Sequence, residues 1–271
     1  MAEPGESLPV VSEDGVTLLV QRYGPAGGPV ALLHPGAGSD HLTLSLLARH
    51  LAGRGYGAWV LNSRGIGGSD RPEGGYHLAQ LTADAIAVLE HAGGQRALVI
   101  GQSLGSAVAQ QVALLRPDLV GSLVLLATWA ASDPYLRVQF ALSQAMARSE
   151  DPSPLLYLIA SRPLLNDPPS REGLKRGMFT GRRAPPAEML ATYLAIGQEH
   201  DSKGALPSLT VPTLVLSGER DLMIPAVYGE EVAALIPGAT HRLLSGPRSS
   251  HLFHWEMATE VHALIDDFCQ L

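Results

Sequence analysis

The sequence predicts an α/β protein: one mostly parallel sheet of eight strands, flanked by helices and carrying a helical insertion. Three observations carry that expectation. Short Val-, Ile- and Leu-rich runs alternate with stretches of helical period, and each switch falls on Gly, Pro or Asp. Most of the strand runs are short and apolar enough to be covered on both faces. From Trp129 to Lys203 the alternation stops, leaving helical period without a strand run.

The expected strands, in order, are Leu8–Val11, Val16–Tyr23, Val30–His34, Ala58–Leu61, Ala97–Ile100, Leu123–Ala127, Thr213–Ser217 and Thr240–Leu244. Gly24-Pro25 and Gly28-Pro29 mark a turn between the second and third. The expected helices are Leu42–Arg54, Leu78–His91, Leu104–Arg116, Ala226–Leu235 and His254–Cys269, each long enough for a right-handed crossover between parallel strands. Within the insertion, helical period appears at Leu136–Arg148, Leu155–Ala160, Glu172–Phe179 and Glu188–Glu199. The prolines at 152, 154, 163, 168, 169, 185 and 186 break it into short pieces. Residues 1–128 and 204–271 therefore form the core, and 129–203 the insertion.

Composition narrows the function. The 271 residues suit one large domain, 46% hydrophobic and 17% charged, rich enough in apolar side chains to bury a core. Nineteen Lys plus Arg against 26 Asp plus Glu give a net charge of -7, which argues against nucleic acid as a partner. The single cysteine, Cys269, excludes an intrachain disulfide and a cysteine-based metal site. Met1 to Val10 carries Glu3, Pro4 and Glu6 where a secretion signal needs basic and then apolar residues. No apolar run approaches the ~20 residues of a membrane span. The expectation is a cytoplasmic protein with a small-molecule substrate, no membrane and no nucleic acid; its oligomeric state is not legible. The insertion carries a slight excess of basic side chains, which solvated helix faces explain; attraction of an anionic substrate is the alternative.

The chemistry concentrates at Gly101-Gln102-Ser103-Leu104-Gly105. As a pattern alone, G-x-S-x-G is weak, but here it follows the apolar run Ala97–Ile100 directly and opens a helical run. A tight strand-to-helix turn strains the serine backbone, requires small neighbours and projects the hydroxyl above the sheet, beside a helix N-terminus that favours negative charge. With this motif the chain resembles the α/β-hydrolase family from about Val10 to Phe268, as a capped serine hydrolase with residues 129–203 as the cap. His34-Pro35-Gly36-Ala37-Gly38 resembles the family's oxyanion loop, with Pro35 in place of the first glycine. Asn62-Ser63-Arg64-Gly65-Ile66-Gly67-Gly68-Ser69-Asp70 is similar to the family's D-x-R-G-x-G-x-S-D turn, with Asn62 in place of Asp and a structural role implied.

A serine nucleophile needs a base, and the base an orienting acid. The resemblance implies the order Ser103, Asp221, His251. Asp221 closes Ser217-Gly218-Glu219-Arg220-Asp221 after a strand run, with Glu219 and Asp133 as rivals. His251 follows the last strand run, and Glu256 repeats the family's H-x4-E spacing, which favours His251 over His254. His34 fits a loop-organising role and His200 a helix end. The amides of Leu104 and of Gly36, or otherwise Ala37, would hold the oxyanion, because Pro35 has no N–H. Trp129 and Tyr135, at the entry to the insertion, are expected to line the substrate site. Leu136, Phe140, Leu155, Tyr157, Met178, Phe179, Met189 and Tyr193 form either an apolar pocket wall or the insertion's own core. No metal or organic cofactor is implied. The expected reaction is acyl-enzyme hydrolysis of a carboxylic ester or lactone. The alternatives are carbon–carbon bond hydrolysis of a β-diketone or ring-cleavage product, a perhydrolase-type reaction, and a ligand-binding protein that keeps the triad. An aspartate at 103 would have indicated a dehalogenase or an epoxide hydrolase; residue 103 is serine.

Overall fold

The computed structural model describes residues 5–74, 76–93, 96–181 and 184–271, so the first four of the ten residues read for a leader lie outside it. Its strands are β1 (Glu6–Val11), β2 (Thr17–Tyr23), β3 (Val30–His34), β4 (Gly57–Leu61), β5 (Ala97–Gln102), β6 (Val120–Leu126), β7 (Thr213–Gly218) and β8 (Thr240–Leu244). They form one sheet in the order β1-β2-β4-β3-β5-β6-β7-β8. β2 runs antiparallel to both β1 and β4, and every other neighbouring pair is parallel.

The helices outside the stretch between β6 and β7 are α1 (Ser45–Gly53), α2 (Leu78–His91), α3 (Leu104–Leu115), α9 (Ala226–Leu235), α10 (Phe253–Glu256) and α11 (Ala258–Cys269). Period-two alternation along the strands divides the core into two layers. Leu32, Val99 and Val215 face one side, against Val88 of α2, Val108 and Val112 of α3 and Val232 of α9. Ala31, Leu33, Leu98, Ile100, Leu214 and Leu216 face the other, against Leu47 and Leu51 of α1 and Val261 and Ile265 of α11. Strands β3, β4, β5 and β7 are buried nearly throughout because helices cover both faces, which is why their sequences lack polar alternation.

Between β6 and β7 lie α4 (Pro134–Ala147), α5 (Leu156–Ile159), α6 (Arg162–Leu165), α7 (Pro168–Lys175) and α8 (Ala187–Glu199), with no strand among the described residues. Prolines open several of these helices, at first-turn positions where a missing N–H costs nothing. Asp133, Ser161 and Asp167 cap α4, α6 and α7 by accepting from Leu136, Leu164 and Ser170 backbone N–H.

Three expectations need correction. The helix expected from Leu42 begins as a 3-10 turn, His41–Leu44, whose first free amide is taken by the Asp40 side chain. The expected helix Glu172–Phe179 is instead α7 followed by a π turn, Arg176–Thr180, because the Pro168-Pro169 pair starts the helix earlier. The single C-terminal helix expected from His254 is broken at Met257 (φ -124°, ψ 40°). At that break Glu256 is drawn aside to accept from Ser161 N (3.0 Å), Ser161 Oγ and Ser250 Oγ (2.6 Å). The short helix α6 was not expected at all, since four residues carry too little periodicity to read.

Candidate active site

Ser103 stands between β5 and α3 with φ 54° and ψ -122°, a region that non-glycine residues avoid. Its backbone N–H donates to Leu126 O (2.9 Å), which ties the turn to β6. The flanking glycines are required by close approach. A Cβ on Gly101 would stand 2.2 Å from Gly105 O, and one on Gly105 would stand 2.0 Å from His34 O. The elbow can therefore close only against β3 with glycine on both sides of the serine. Behind it, Ser106 Oγ donates to Ser103 O (2.6 Å) and Gln110 Nε2 to Thr128 Oγ1 (2.8 Å), a buried polar seam along α3.

Gly36 lies against the elbow: a Cβ built there would be 3.1 Å from Ser103 Cβ. Leu104 opens α3, so its amide belongs to the first turn, which has no carbonyl partner within the helix. Gly36 borders the cavity that Ser103 faces. His34, at the end of β3, is buried with Nδ1 2.9 Å from Pro35 O, and burial pulls its pKa down to about 4. It organises the loop and stays neutral.

His251 Nδ1 donates to Asp221 Oδ2 at 2.8 Å, and both side chains are buried. The other oxygen of Asp221 accepts from Met223 N (2.9 Å) and Ile224 N (2.8 Å), which fixes the carboxylate after β7. The rival acids are otherwise engaged. Glu219 Oε2 accepts from Gly246 N (3.0 Å), and Asp133, besides capping α4, accepts from Tyr228 Oη (3.0 Å). His254 lies one helical turn beyond His251. Its ring is buried, and burial lowers its pKa to about 3. It has no carboxylate to orient it and holds a proton poorly.

Ser103 and His251 border one cavity of about 580 Å³ together with Gly36, Ala37, Gln102 and Met223. Its wall is otherwise mainly aliphatic, including Leu155, Ile159, Leu174, Met178, Leu190 and Leu194 from the stretch between β6 and β7. That composition suits an apolar small molecule with a few polar anchors. Asp40 is its single acidic residue and no Lys or Arg among the described residues borders it.

The two residues expected to line this space are not found there. Trp129 is fully buried, donates from Nε1 to Ser132 Oγ (3.1 Å) and packs on Phe140 and His200 at ring distances of 5.4 and 5.3 Å. Tyr135 is 58% exposed at the start of α4. A residue next to the entry of the insertion faces whichever side α4 turns, and α4 packs on α8. Of the eight apolar residues named from helical period, Leu155 and Met178 reach the cavity, whereas Leu136, Phe140 and Tyr193 are core. Gln102, Asp40, Thr43 and Trp255, which do border it, were not singled out; Gln102 could have been, because it adjoins the nucleophile.

Two polar clusters brace these loops. Asn62 Oδ1 accepts from His41 N (2.8 Å) and its Nδ2 donates to Leu19 O (2.8 Å), a donation that a carboxylate could not make. Arg64 is buried in bonds to Asp84 (2.6 Å) and Asp14 (2.9 Å), which hold the Asp14 carboxyl down to about 2, while burial pushes Asp84 upward.

Residues 28–258 match the family described as the alpha/beta hydrolase fold. The chain is an alpha/beta hydrolase. It is 25% identical over 253 residues, covering 89% of this chain and 91% of the relative, to a putative carbamate hydrolase RutD of Klebsiella pneumoniae subsp. pneumoniae. A protein of the same name from Stutzerimonas stutzeri is 28% identical over 176 residues, covering 63% of this hydrolase and 66% of that protein. Among solved structures, a hydrolase from Pseudomonas aeruginosa PA01 superposes with a TM-score of 0.87 at 27% identity, covering 98% of this hydrolase and 99% of that chain. Among the described residues, no helix is long and apolar enough to cross a membrane, and no group of three or more His, Cys, Asp or Glu could hold a metal ion.

Proposed function

We propose that this alpha/beta hydrolase is a serine hydrolase acting on a carboxylic ester or lactone with an apolar acyl group. Ser103 attacks the carbonyl while His251 takes the hydroxyl proton, with Asp221 orienting the imidazole. The amides of Leu104 and Gly36 stabilise the oxyanion. His251 then protonates the leaving alcohol, and an activated water releases the acid from Ser103. Residues 129–203 act as the cap that selects the acyl group. The observation that carries this reading is the His251–Asp221 bond of 2.8 Å beside the strained Ser103, on the wall of a largely aliphatic cavity.

The RutD relatives are named for carbamates, whose acyl centre is open to the same attack, so a carbamate is the second substrate class to test. The test is intact-protein mass spectrometry after a fluorophosphonate, in parallel with p-nitrophenyl esters of increasing acyl length, a γ-lactone and a carbamate. One adduct at Ser103 with ester or lactone turnover is the expected result. An adduct with carbamate turnover alone would move the assignment to that class, and a protein that stays unmodified would remove Ser103 as nucleophile.

A further inference from the structure

We propose that Gln102 is a positioning residue that occupies the base in the resting molecule and releases it when substrate arrives. The proposal rests on the reading of Ser103 and His251 as nucleophile and base. With its Nδ1 proton committed to Asp221, a neutral His251 has a single lone pair left, on Nε2. The group within hydrogen-bonding distance of that lone pair is the Gln102 side-chain amide, 3.3 Å away and buried. An acceptor nitrogen facing an amide fixes the orientation of the latter: the NH2 points to His251 and Oε1 points away.

The far end of the same amide reaches the oxyanion loop, where a Cβ on Gly36 would meet Gln102 Oε1 at 2.5 Å. Gln102 thus bridges from the loop that would hold the oxyanion to the base that would drive attack, alongside the nucleophile. One lone pair cannot accept from both the amide and the Ser103 hydroxyl. In the resting molecule the amide has it; for attack, the hydroxyl must. The amide leaves without cost only if it gains another acceptor in the cavity, where Ser39, Asp40, Thr43 and Ser170 stand among the aliphatic side chains. An ester or lactone brings one, its alkoxy oxygen, into the space between Gly36 and His251. Gln102 N–H would then pass from His251 to that oxygen, freeing the base at the moment the leaving group is in position to receive its proton. This favours substrates with an acceptor atom beside the scissile carbonyl.

The test uses the whole protein with 15N-labelled histidine, in wild type, Gln102→Met, Gln102→Asn and Ser103→Ala. Methionine keeps the length of the side chain without a donor, and asparagine keeps the amide but falls one methylene short. The expected result is that the His251 Nε2 resonance moves to the position of an unbonded acceptor in both Gln102 variants and stays put in Ser103→Ala. The second-order rate of labelling by phenylmethanesulfonyl fluoride, a probe that has no alkoxy oxygen, should rise about three- to ten-fold in Gln102→Met, the range spanned by one neutral hydrogen bond. A resonance that moves in Ser103→Ala and not in the Gln102 variants would overturn the proposal, and so would slower labelling of a folded Gln102→Met. If wild type carries no adduct at Ser103, the nucleophile assignment fails, and the resonance still decides whether Gln102 holds His251.

Discussion

Ser103 is held at φ 54°, ψ -122°, and keeping a non-glycine residue in such a region costs about 1–3 kcal/mol. That strain is a consequence of aiming the side chain above the sheet, so it separates stability from activity. Ser103→Ala keeps the backbone problem and should leave the melting temperature unchanged while lowering ester turnover about 10⁴-fold. Ser103→Gly removes both and should be more stable than either by about 1 kcal/mol in urea titration, with no turnover. An alanine variant that retains full activity would eliminate the serine from the mechanism. The acid is tested in the same way. Asp221→Asn, which leaves the Met223 and Ile224 amides an acceptor, should lower turnover about 10⁴-fold because the imidazole loses its orienting partner. Asp133→Ala should instead cost about 1 kcal/mol as a lost helix cap and spare the rate. The opposite pattern would mean that Asp133, the cap of α4, is the acid.

At the scale of elements, Glu256 joins the loop that carries His251 to the stretch between β6 and β7. Its carboxylate accepts from Ser250, the residue before His251, and from the backbone and hydroxyl of Ser161, the cap of α6. Charged hydrogen bonds of this kind are worth about 1.5–3 kcal/mol each and are not additive. Glu256→Ala should therefore cost about 3 kcal/mol and lower turnover at least tenfold through a loosened His251, although Glu256 is no part of the proton transfer; an unchanged melting temperature would show the loop to be held by other contacts. The core elements were legible because their periods are set locally. Val30–His34, Leu78–His91, Ala226–Leu235 and Thr240–Leu244 end where Gly, Pro or a change of period says they should. The break at Met257 was not legible, because it is imposed by a side chain reaching a residue nearly a hundred positions away. For the same reason helical period in the insertion could not tell Met178, at the cavity, from Phe140, in the core. At the site, Ser103 was read from a glycine-flanked turn between a strand run and a helical run, and Asp221 and His251 from the resemblance to the family, each in the loop after a strand run. The Trp129 reading failed because nearness in sequence to the insertion's entry says nothing about which way an indole turns.

The molecule as a whole keeps three fully buried histidines neutral, and this sets its response to acid. His34, His200 and His254 have pKa values lowered by burial to about 4, 4 and 3, against 6.5 for the free side chain. Above pH 6.5 both folded and unfolded chains carry them uncharged, and they contribute their full stability. As the pH falls below 6.5 the unfolded chain takes up protons that the folded one refuses, so stability decreases until the native groups titrate near pH 4 and below. Near pH 5 the difference approaches one proton for each histidine, and the slope about 4 kcal/mol per pH unit for the three together. Carboxylates act in a lower window: Asp14, held at about 2 by Arg64, contributes stability above its usual 3.8 that is lost only as the pH falls toward 2. The acid limb between pH 6.5 and 4.5 therefore belongs to the imidazoles. Urea titrations at half-unit steps should show the unfolding midpoint falling steeply across that interval. His200→Gln retains a donor for Gln110 Oε1, which His200 Nε2 meets at 3.2 Å, and removes one titrating ring. Because burial also lowers His262 to about 4, four rings titrate over this interval, and the slope of the variant near pH 5 should be about one quarter shallower than that of wild type. A midpoint that stays level from pH 7 to 5 would mean that these rings find protons, or water, within the fold, and that their burial exerts no control over the stability of the hydrolase in acid.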